Sequence, residues 1–278
     1  MKVFLTGGTG FIGSHYLAHM SSLPHEITAL RRFGSVPCVD IQRQPTWLEK
    51  SMDTIDESDL EGHDVLVHLA SVGVSPQKAT WQEMIYWNAV VLMRLLEVGI
   101  SAGVRRFVLA GSYAEYGTSA DQYEFLPVDA TLQPTSPYAA SKAAGCVLAS
   151  TFAIVSQVEL CYLRIFSAYG EGQYEDNFWP ALKAAAITGK DFPMTLGEQV
   201  RDYIPVEEVA KAIHIATVRD DICPGIPKII NVATGKPVTM REFAERYWKQ
   251  WGAKGELHIG KLLYRPNEPM RFVPEVES

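Results

Sequence analysis

Residues 1–15 read MKVFLTGGTGFIGSH, an apolar run followed at once by Gly7, Gly8, Gly10 and Gly13. Glycine loses more conformational freedom on ordering than any other residue, so this cluster needs a geometric reason. Lys2–Thr6 reads as a strand, and FIGSHYLAHMSS has the spacing of a helix. Gly7, Gly10 and Gly13 form G-x-x-G-x-x-G between the two, the context that separates a nucleotide-binding turn from chance glycines. The first glycine permits a tight turn, the second admits a pyrophosphate to the backbone, and the third lets helix and strand pack closely. The helix start, around Phe11 and Ile12, then offers unpaired N–H groups and partial positive charge to the phosphates.

The chain continues in the same alternation. EITAL, DVLVHLAS, RFVLAGS, VELCYLRIF and KIINVAT read as strands, and 88–102 and 136–156 as helices. Strands rich in Val, Ile and Leu with little alternation indicate burial on both faces. The order predicts an α/β fold, a doubly wound parallel sheet with right-handed crossovers. After Phe166 the character changes to Gly, Pro, acids and aromatics, and we expect a smaller lobe interleaved with the first domain. The expected division is 1–166 plus about 203–232 for the dinucleotide domain, and about 167–202 plus 233–278 for the second lobe, its last forty-odd residues being a helix and a polar tail.

Composition narrows the function. The 278 residues are 47% hydrophobic and 21% charged with a net charge of −7, which gives no support to a nucleic-acid partner or a membrane surface. Charges interrupt the most apolar stretch, VVLMRLLEVGI, so no bilayer span is expected. The start does not fit a signal peptide, and Cys38, Cys146, Cys161 and Cys223 are scattered without metal-type spacing. Reduced thiols, a cytoplasmic location and no metal are the expectation. His15 and His19 are taken as ordinary helix residues.

The end of the second strand bears on the cofactor. An NAD site places an acid there for the ribose hydroxyls, about twenty residues past the glycine turn. This chain has Arg31 and Arg32, and a guanidinium pairs with a 2′-phosphate that an acid would repel. NADP(H) is therefore expected, with NAD(H) as the alternative.

QPTSPYAASKAAG (133–145) carries the chemistry. Ser136 suits a helix cap and Pro137 the first helical position, which sets Tyr138 and Lys142 on one face. A free phenol, with a pKa of about 10, is a poor proton carrier at neutral pH. A cation at ~4 Å in an effective dielectric near 20 is worth about 4 kcal/mol, roughly three pK units, so Lys142 is expected to bring Tyr138 into range. Ser112, at the C-terminal end of the RFVLAGS strand, can hydrogen-bond the substrate oxygen.

TGGTGFIG, HLA (68–70), Asn88, the Ser112 strand, Tyr138-x-x-x-Lys142, LRIFSAYG and VRDYIPVEEVA together resemble the extended short-chain dehydrogenase/reductases, the NAD-dependent epimerase/dehydratase family of nucleotide-sugar enzymes. The match covers nearly the whole chain. It implies a Rossmann domain with a sugar-binding lobe and a catalytic triad of Ser112, Tyr138 and Lys142. Leu69, Ala70 and Asn88, with Tyr138 and Lys142, would face the cofactor. Ser112, Tyr113, Asn177, Arg201 and Arg265 would face the substrate, the two arginines at positions that hold a nucleotide diphosphate. Dehydratases of the family carry an acid within two or three residues of the Ser, whereas here Tyr113 and Ala114 follow, with Glu115 later. Ser167 replaces the usual Asn of the LR-x-FN pattern, so no substrate contact is assigned there, and relatives commonly continue with a further helix beyond a YRPNE-like segment, so either a trimmed small lobe or a chain cut short is expected. The SYAEYG turn is similar to that of enzymes reducing nucleotide-linked 4-keto-6-deoxyhexoses. With the Arg31–Arg32 pair, it favours an NADPH-dependent reductase of such a sugar. A nucleotide-sugar 4-epimerase with tightly bound NAD and a non-catalytic NADP(H)-sensing protein are the alternatives. A homodimer through helices 88–102 and 138–156 is a further expectation.

Overall fold

The computed structural model describes residues 1–265 and 268–276. Its strands are β1 (Lys2–Thr6), β2 (Glu26–Arg31), β3 (Thr46–Glu49), β4 (Val65–His68), β5 (Arg106–Ser112), β6 (Glu159–Ile165), β7 (Ser167–Tyr169), β8 (Phe192–Pro193), β9 (Val200–Pro205), β10 (Lys228–Val232), β11 (Pro237–Thr239), β12 (Leu257–His258) and β13 (Arg271–Phe272). Its α-helices are α1 (Phe11–Met20), α2 (Glu57–Leu60), α3 (Trp81–Ile85), α4 (Val91–Ser101), α5 (Pro137–Ser156), α6 (Phe178–Thr188), α7 (Val206–Val218) and α8 (Met240–Gln250). Seven strands form one sheet in the order β10-β6-β5-β4-β1-β2-β3, with every neighbouring pair parallel. The chain leaves β1 for one side of the sheet and returns at β4 on the other. The crevice above the ends of β1 and β4 is therefore where such sheets bind ligands.

Each face of the sheet has its own apolar layer, as continuous apolar strands require. Val3, Leu5, Val67 and Val108 pack with Leu17 of α1 and Val209 and Ile213 of α7. Phe4, Leu66 and Phe107 pack with Leu92, Leu95 and Leu96 of α4 and Ala149 and Ala153 of α5. Burying one such leucine fully is worth about 2 kcal/mol. Trp81–Ser101 is one continuous helical stretch, longer than the 88–102 read from spacing, because a π-helical turn over Tyr86–Val90 joins α3 to α4. This stretch and α5 are long and apolar enough to cross a membrane by length and composition, despite Arg94 and Glu97; in the fold each lays one face on the sheet.

Two features escaped the pattern reading. TWLE forms β3, an edge strand beside β2. The C-terminal region is more than a helix and a polar tail, since β13 pairs with β9 in a second sheet that also contains β7 and β11. That sheet borders an aromatic cluster in which Tyr203 stacks on Phe243 at 3.9 Å and Tyr169 lies edge-on to Phe243 at 5.0 Å.

Candidate active site

The glycine turn is built for close approach. Gly7 has φ +77°, and a Cβ there would sit 2.6 Å from the Ala70 nitrogen and 2.8 Å from the Leu69 carbonyl carbon. Leu69 and Ala70 thus belong to the cradle through their backbone, with the Ala70 N–H 3.5 Å from Thr6 Oγ1. A Cβ on Gly13 would overlap the Gly7 carbonyl oxygen. Gly10 differs, because its Cβ would meet only that oxygen, at 3.3 Å. Gly10 is the N-cap of α1, makes no side-chain cap bond, and no acid stands in the first turn, so Phe11 and Ile12 open a helix end with nothing to repel an anion. A dinucleotide pyrophosphate fits this cradle.

The rim at the end of β2 departs from expectation. Arg31 does not reach outward as a phosphate grip. Its guanidinium pairs with Glu49 of β3 at 2.6 Å and lies over the Trp47 ring at 5.0 Å. The unforeseen edge strand supplies both partners, and a carboxylate now stands where the second strand ends. Arg32 is exposed on the following loop. That loop is tied to the glycine turn and α1, with Thr9 Oγ1 donating to Ser35 Oγ at 3.3 Å and the Cys38 N–H to Ser14 Oγ at 3.1 Å.

Ser136 caps α5, its hydroxyl accepting from the Ala139 N–H at 3.2 Å, and Pro137 opens the helix as its fixed φ allows. Ser112, Tyr138 and Lys142 are brought together by this helix and the end of β5. The hydroxyls of Ser112 and Ser71 face the Tyr138 phenol and pull its pKa down, but burial outweighs them and pushes it up to about 12. Lys142 is not among the main causes of this shift. Lys142 is buried and its ammonium donates to the Ala110 carbonyl at 2.7 Å, while Glu115 is among the groups that raise the phenol. Burial also pulls the Lys142 pKa below the usual range, with Glu115 opposing.

Asn88 is placed by the π-helical turn, a distortion that recurs at functional sites. Its side chain is consumed by protein rather than presented to a cofactor. Oδ1 accepts from the Val72 N–H at 2.9 Å and the Ser71 hydroxyl at 3.2 Å, while Nδ2 donates to the Val72 carbonyl and Ser141 Oγ, both at 2.9 Å. Asn88 therefore fastens the loop bearing Ser71 to α5 beside Tyr138.

Tyr113 stacks on Phe166 at 5.5 Å and meets Phe272 at 4.9 Å, forming an aromatic wall next to Ser112. Asn177 sits half-buried at the N-cap of α6 and makes no cap bond. Arg201 is buried, not displayed. It donates to the carbonyls of Pro269 at 2.6 Å and Val200 at 2.9 Å, and lies 4.0 Å from Glu268. Nor does it pair with Asp202, which instead accepts from the Thr234 and Lys236 N–H groups at 2.8 and 3.1 Å. Arg265 is exposed and its backbone N–H donates to Glu268 at 3.3 Å; Pro266 and Asn267 of YRPNE lie outside the described residues. Sequence reasoning gave no role to Ser71, Glu49 or Glu115: Ser71 and Glu49 act through contacts distant in sequence, whereas Glu115 closes a local Ser112-x-x-Glu115 capping box that went unread.

Known proteins are similar to this chain in sequence and in fold. UDP-glucose 4-epimerase of Corynebacterium glutamicum is 26% identical over 269 residues, spanning 88% of this chain and 79% of that protein. UDP-N-acetylglucosamine 4-epimerase from Methanobrevibacter ruminantium M1, solved with UDP-N-acetylmuramic acid, superposes with a TM-score of 0.89 at 24% identity, covering 99% of this chain and 89% of that one. MoeE5, solved with UDP-glucuronic acid and NAD, gives a TM-score of 0.84 at 26% identity over 99% and 90%. Residues 3–233, from the first strand through the last of the large sheet, match the sequence profile of the NAD dependent epimerase/dehydratase family, and the chain belongs to that family of nicotinamide-dependent enzymes.

Proposed function

We propose that this protein is a nucleotide-sugar 4-epimerase that keeps NAD bound and removes and returns hydride at C4 of a nucleotide-linked hexose. The meeting of Ser112, Tyr138 and Lys142 beside the Gly7–Gly13 cradle carries the oxidoreductase reading. The Arg31–Glu49 pair supports NAD over NADP in this reading: it occupies Arg31 and sets a carboxylate beside the end of β2, where it favours ribose hydroxyls over a 2′-phosphate. The sugar-nucleotide epimerases among the relatives support the same choice.

In this reading the nicotinamide supplies a hydride acceptor and, when oxidised, a positive charge beside the phenol. Tyr138 takes the proton from the C4 hydroxyl as the sugar is oxidised and returns it as the ketone is reduced. Ser112 Oγ holds the C4 oxygen in line. Ser71 and Ser112 lower the cost of the phenolate, and Lys142, anchored on Ala110, fixes the helix turn below it. Tyr113 stands where the family's dehydratases hold an acid, which disfavours elimination. Arg201 and Arg265, with Asn177, are proposed to border the nucleotide diphosphate.

The test is direct. Purified protein with UDP-glucose or UDP-N-acetylglucosamine is expected to interconvert the C4 epimers without net nicotinamide turnover, and to release NAD rather than NADP on denaturation. Stoichiometric NADPH consumption on a nucleotide 4-keto-6-deoxyhexose, with no epimer exchange, would overturn it. That outcome would restore the reductase reading, which the exposed Arg32 beside the phosphate loop favours. Added cofactor is expected to bind as NADH in preference to NADPH, and Glu49→Gln to narrow that preference.

A homodimer is part of the proposal. Ile85 (38% exposed), Val90 (54%) and Leu148 (39%) line an apolar groove between the outer faces of the 81–101 helix and α5. Val90→Asp is expected to halve the mass seen by sedimentation; a wild-type chain that sediments as a monomer would refute the pairing. A cytoplasmic setting is part of the proposal; there Cys38, Cys146, Cys161 and Cys223, none of them in a disulfide, would stay reduced.

A further inference from the structure

Beneath the Ser112 turn lies a carboxylate that the proposed chemistry does not use. Glu115 is fully buried, and a buried charge is costly unless paired and hydrogen-bonded. Its Oε1 accepts from the Ser112 N–H at 2.7 Å and the Tyr162 phenol at 2.8 Å, and its Oε2 accepts from Arg164 Nε at 2.9 Å. Space for it is provided by Gly111, where a Cβ would stand 2.8 Å from Oε1.

The partners extend the connection into α5. The Tyr162 hydroxyl also lies 3.2 Å from the Lys142 carbonyl, so its one proton is shared between Glu115 and the helix turn that carries the lysine. The Arg164 guanidinium reaches Tyr116 Oη at 2.9 Å, the Val128 carbonyl at 2.8 Å and Cys146 Sγ at 3.5 Å, one turn further along α5. The bond to the Ser112 N–H closes the capping box of the short helical turn over Tyr113–Tyr116, so the carboxylate that pairs with Arg164 also fixes the backbone of Ser112. One carboxylate thus joins the end of β5, two side chains of β6 and two turns of α5.

We propose that Glu115 is a positioning residue for proton transfer: it sets the Ser112 hydroxyl and the Lys142 turn against Tyr138 and lends Lys142 the counter-charge that keeps it an ammonium. The proposal rests on Ser112, Tyr138 and Lys142 being the proton-transfer group. The groups facing Glu115 are Arg164 and Lys142, both cations, with Tyr116, Tyr138, Tyr162 and Cys146. Its charge raises the pKa of Lys142 against the effect of burial, and raises Tyr138, Tyr116, Tyr162 and Cys146 as well.

Glu115→Gln keeps the shape and the acceptor toward Ser112 while removing the charge. The phenolate absorbance of Tyr138, isolated by subtracting Tyr138→Phe, is titrated on NAD-loaded protein. The Tyr138 midpoint is expected to fall by about one pH unit in Glu115→Gln, since the carboxylate opposes the phenolate. UDP-glucose turnover should drop about tenfold or more through displacement of Ser112 and Lys142, with KM nearly unchanged. A folded Glu115→Gln protein with the wild-type midpoint and wild-type turnover overturns the proposal. Should that variant fail to fold, Tyr162→Phe decides: loss of amide-exchange protection along residues 138–146 supports it, and unchanged protection overturns it. Full activity in Tyr138→Phe would defeat the underlying reading instead. An inactive Tyr138→Phe beside a wild-type-like Glu115→Gln would defeat only the role of Glu115.

Discussion

Replacing Tyr138 with phenylalanine is expected to lower turnover by about 10²–10⁴-fold while leaving cofactor binding intact, the range for loss of a positioned proton carrier. The ring fills a site between α5, Ser112 and Ser71, and phenylalanine preserves that packing while removing only the O–H. The phenol is pushed up to about 12 by burial, so in the cofactor-free protein it keeps its proton throughout the neutral range. Protonated, it is an acid ready for the reductive half of the reaction. The oxidative half requires its proton to leave, and a cation beside it must then lower the pKa. Turnover limited by the oxidative half should therefore rise with pH up to the phenol's pKa in the loaded enzyme. Steady-state rates with and without the hydroxyl, beside nicotinamide content after purification, check both statements. A Tyr138→Phe protein retaining wild-type turnover would remove Tyr138 from the chemistry.

Alanine at Gly13 and alanine at Gly10 are expected to fail in opposite ways. At Gly13 the new methyl overlaps the Gly7 carbonyl oxygen and approaches Gly8 Cα at 2.9 Å, both backbone atoms that cannot turn aside. Such overpacking costs about 3 kcal/mol, a large part of a domain's net stability. At Gly10 the methyl meets only the Gly7 oxygen, at 3.3 Å, and otherwise projects into the cradle. Stability should be nearly kept there, while cofactor affinity falls about tenfold for an overlap of about 1.4 kcal/mol with the pyrophosphate. Thermal melts and nicotinamide titrations on the two variants separate the roles. Equal melting losses would mean that Gly10, like Gly13, serves only packing.

The helix caps show how much of the site was legible locally. Ser136-Pro137 announces the start of α5, and that start alone puts Tyr138 and Lys142 one turn apart. The glycine spacing likewise dictates a turn between β1 and α1. Arg31 shows the limit. Read along the chain it is a cation at a strand end, yet Glu49 and Trp47 of β3 claim it, and their short edge strand has too little apolar pattern to be seen in advance. Asn88 and Arg201 follow the same rule: each stands in its expected motif, and each spends its hydrogen bonds on backbone brought near by folding.

What the sequence by itself determined is the alternation of strands and helices, the cradle, and the presence of Ser112, Tyr138 and Lys142, because these depend on periodicity, caps and glycine sterics within a few residues. Only the tertiary structure decided the charges around them. Whether Arg31 is held by Glu49, whether Lys142 faces Ala110, and how Glu115 ties Ser112 to Tyr162 and Arg164 depend on contacts between strands far apart in the chain. Electrostatic energy varies with distance and burial, and neither is written in the spacing of a motif.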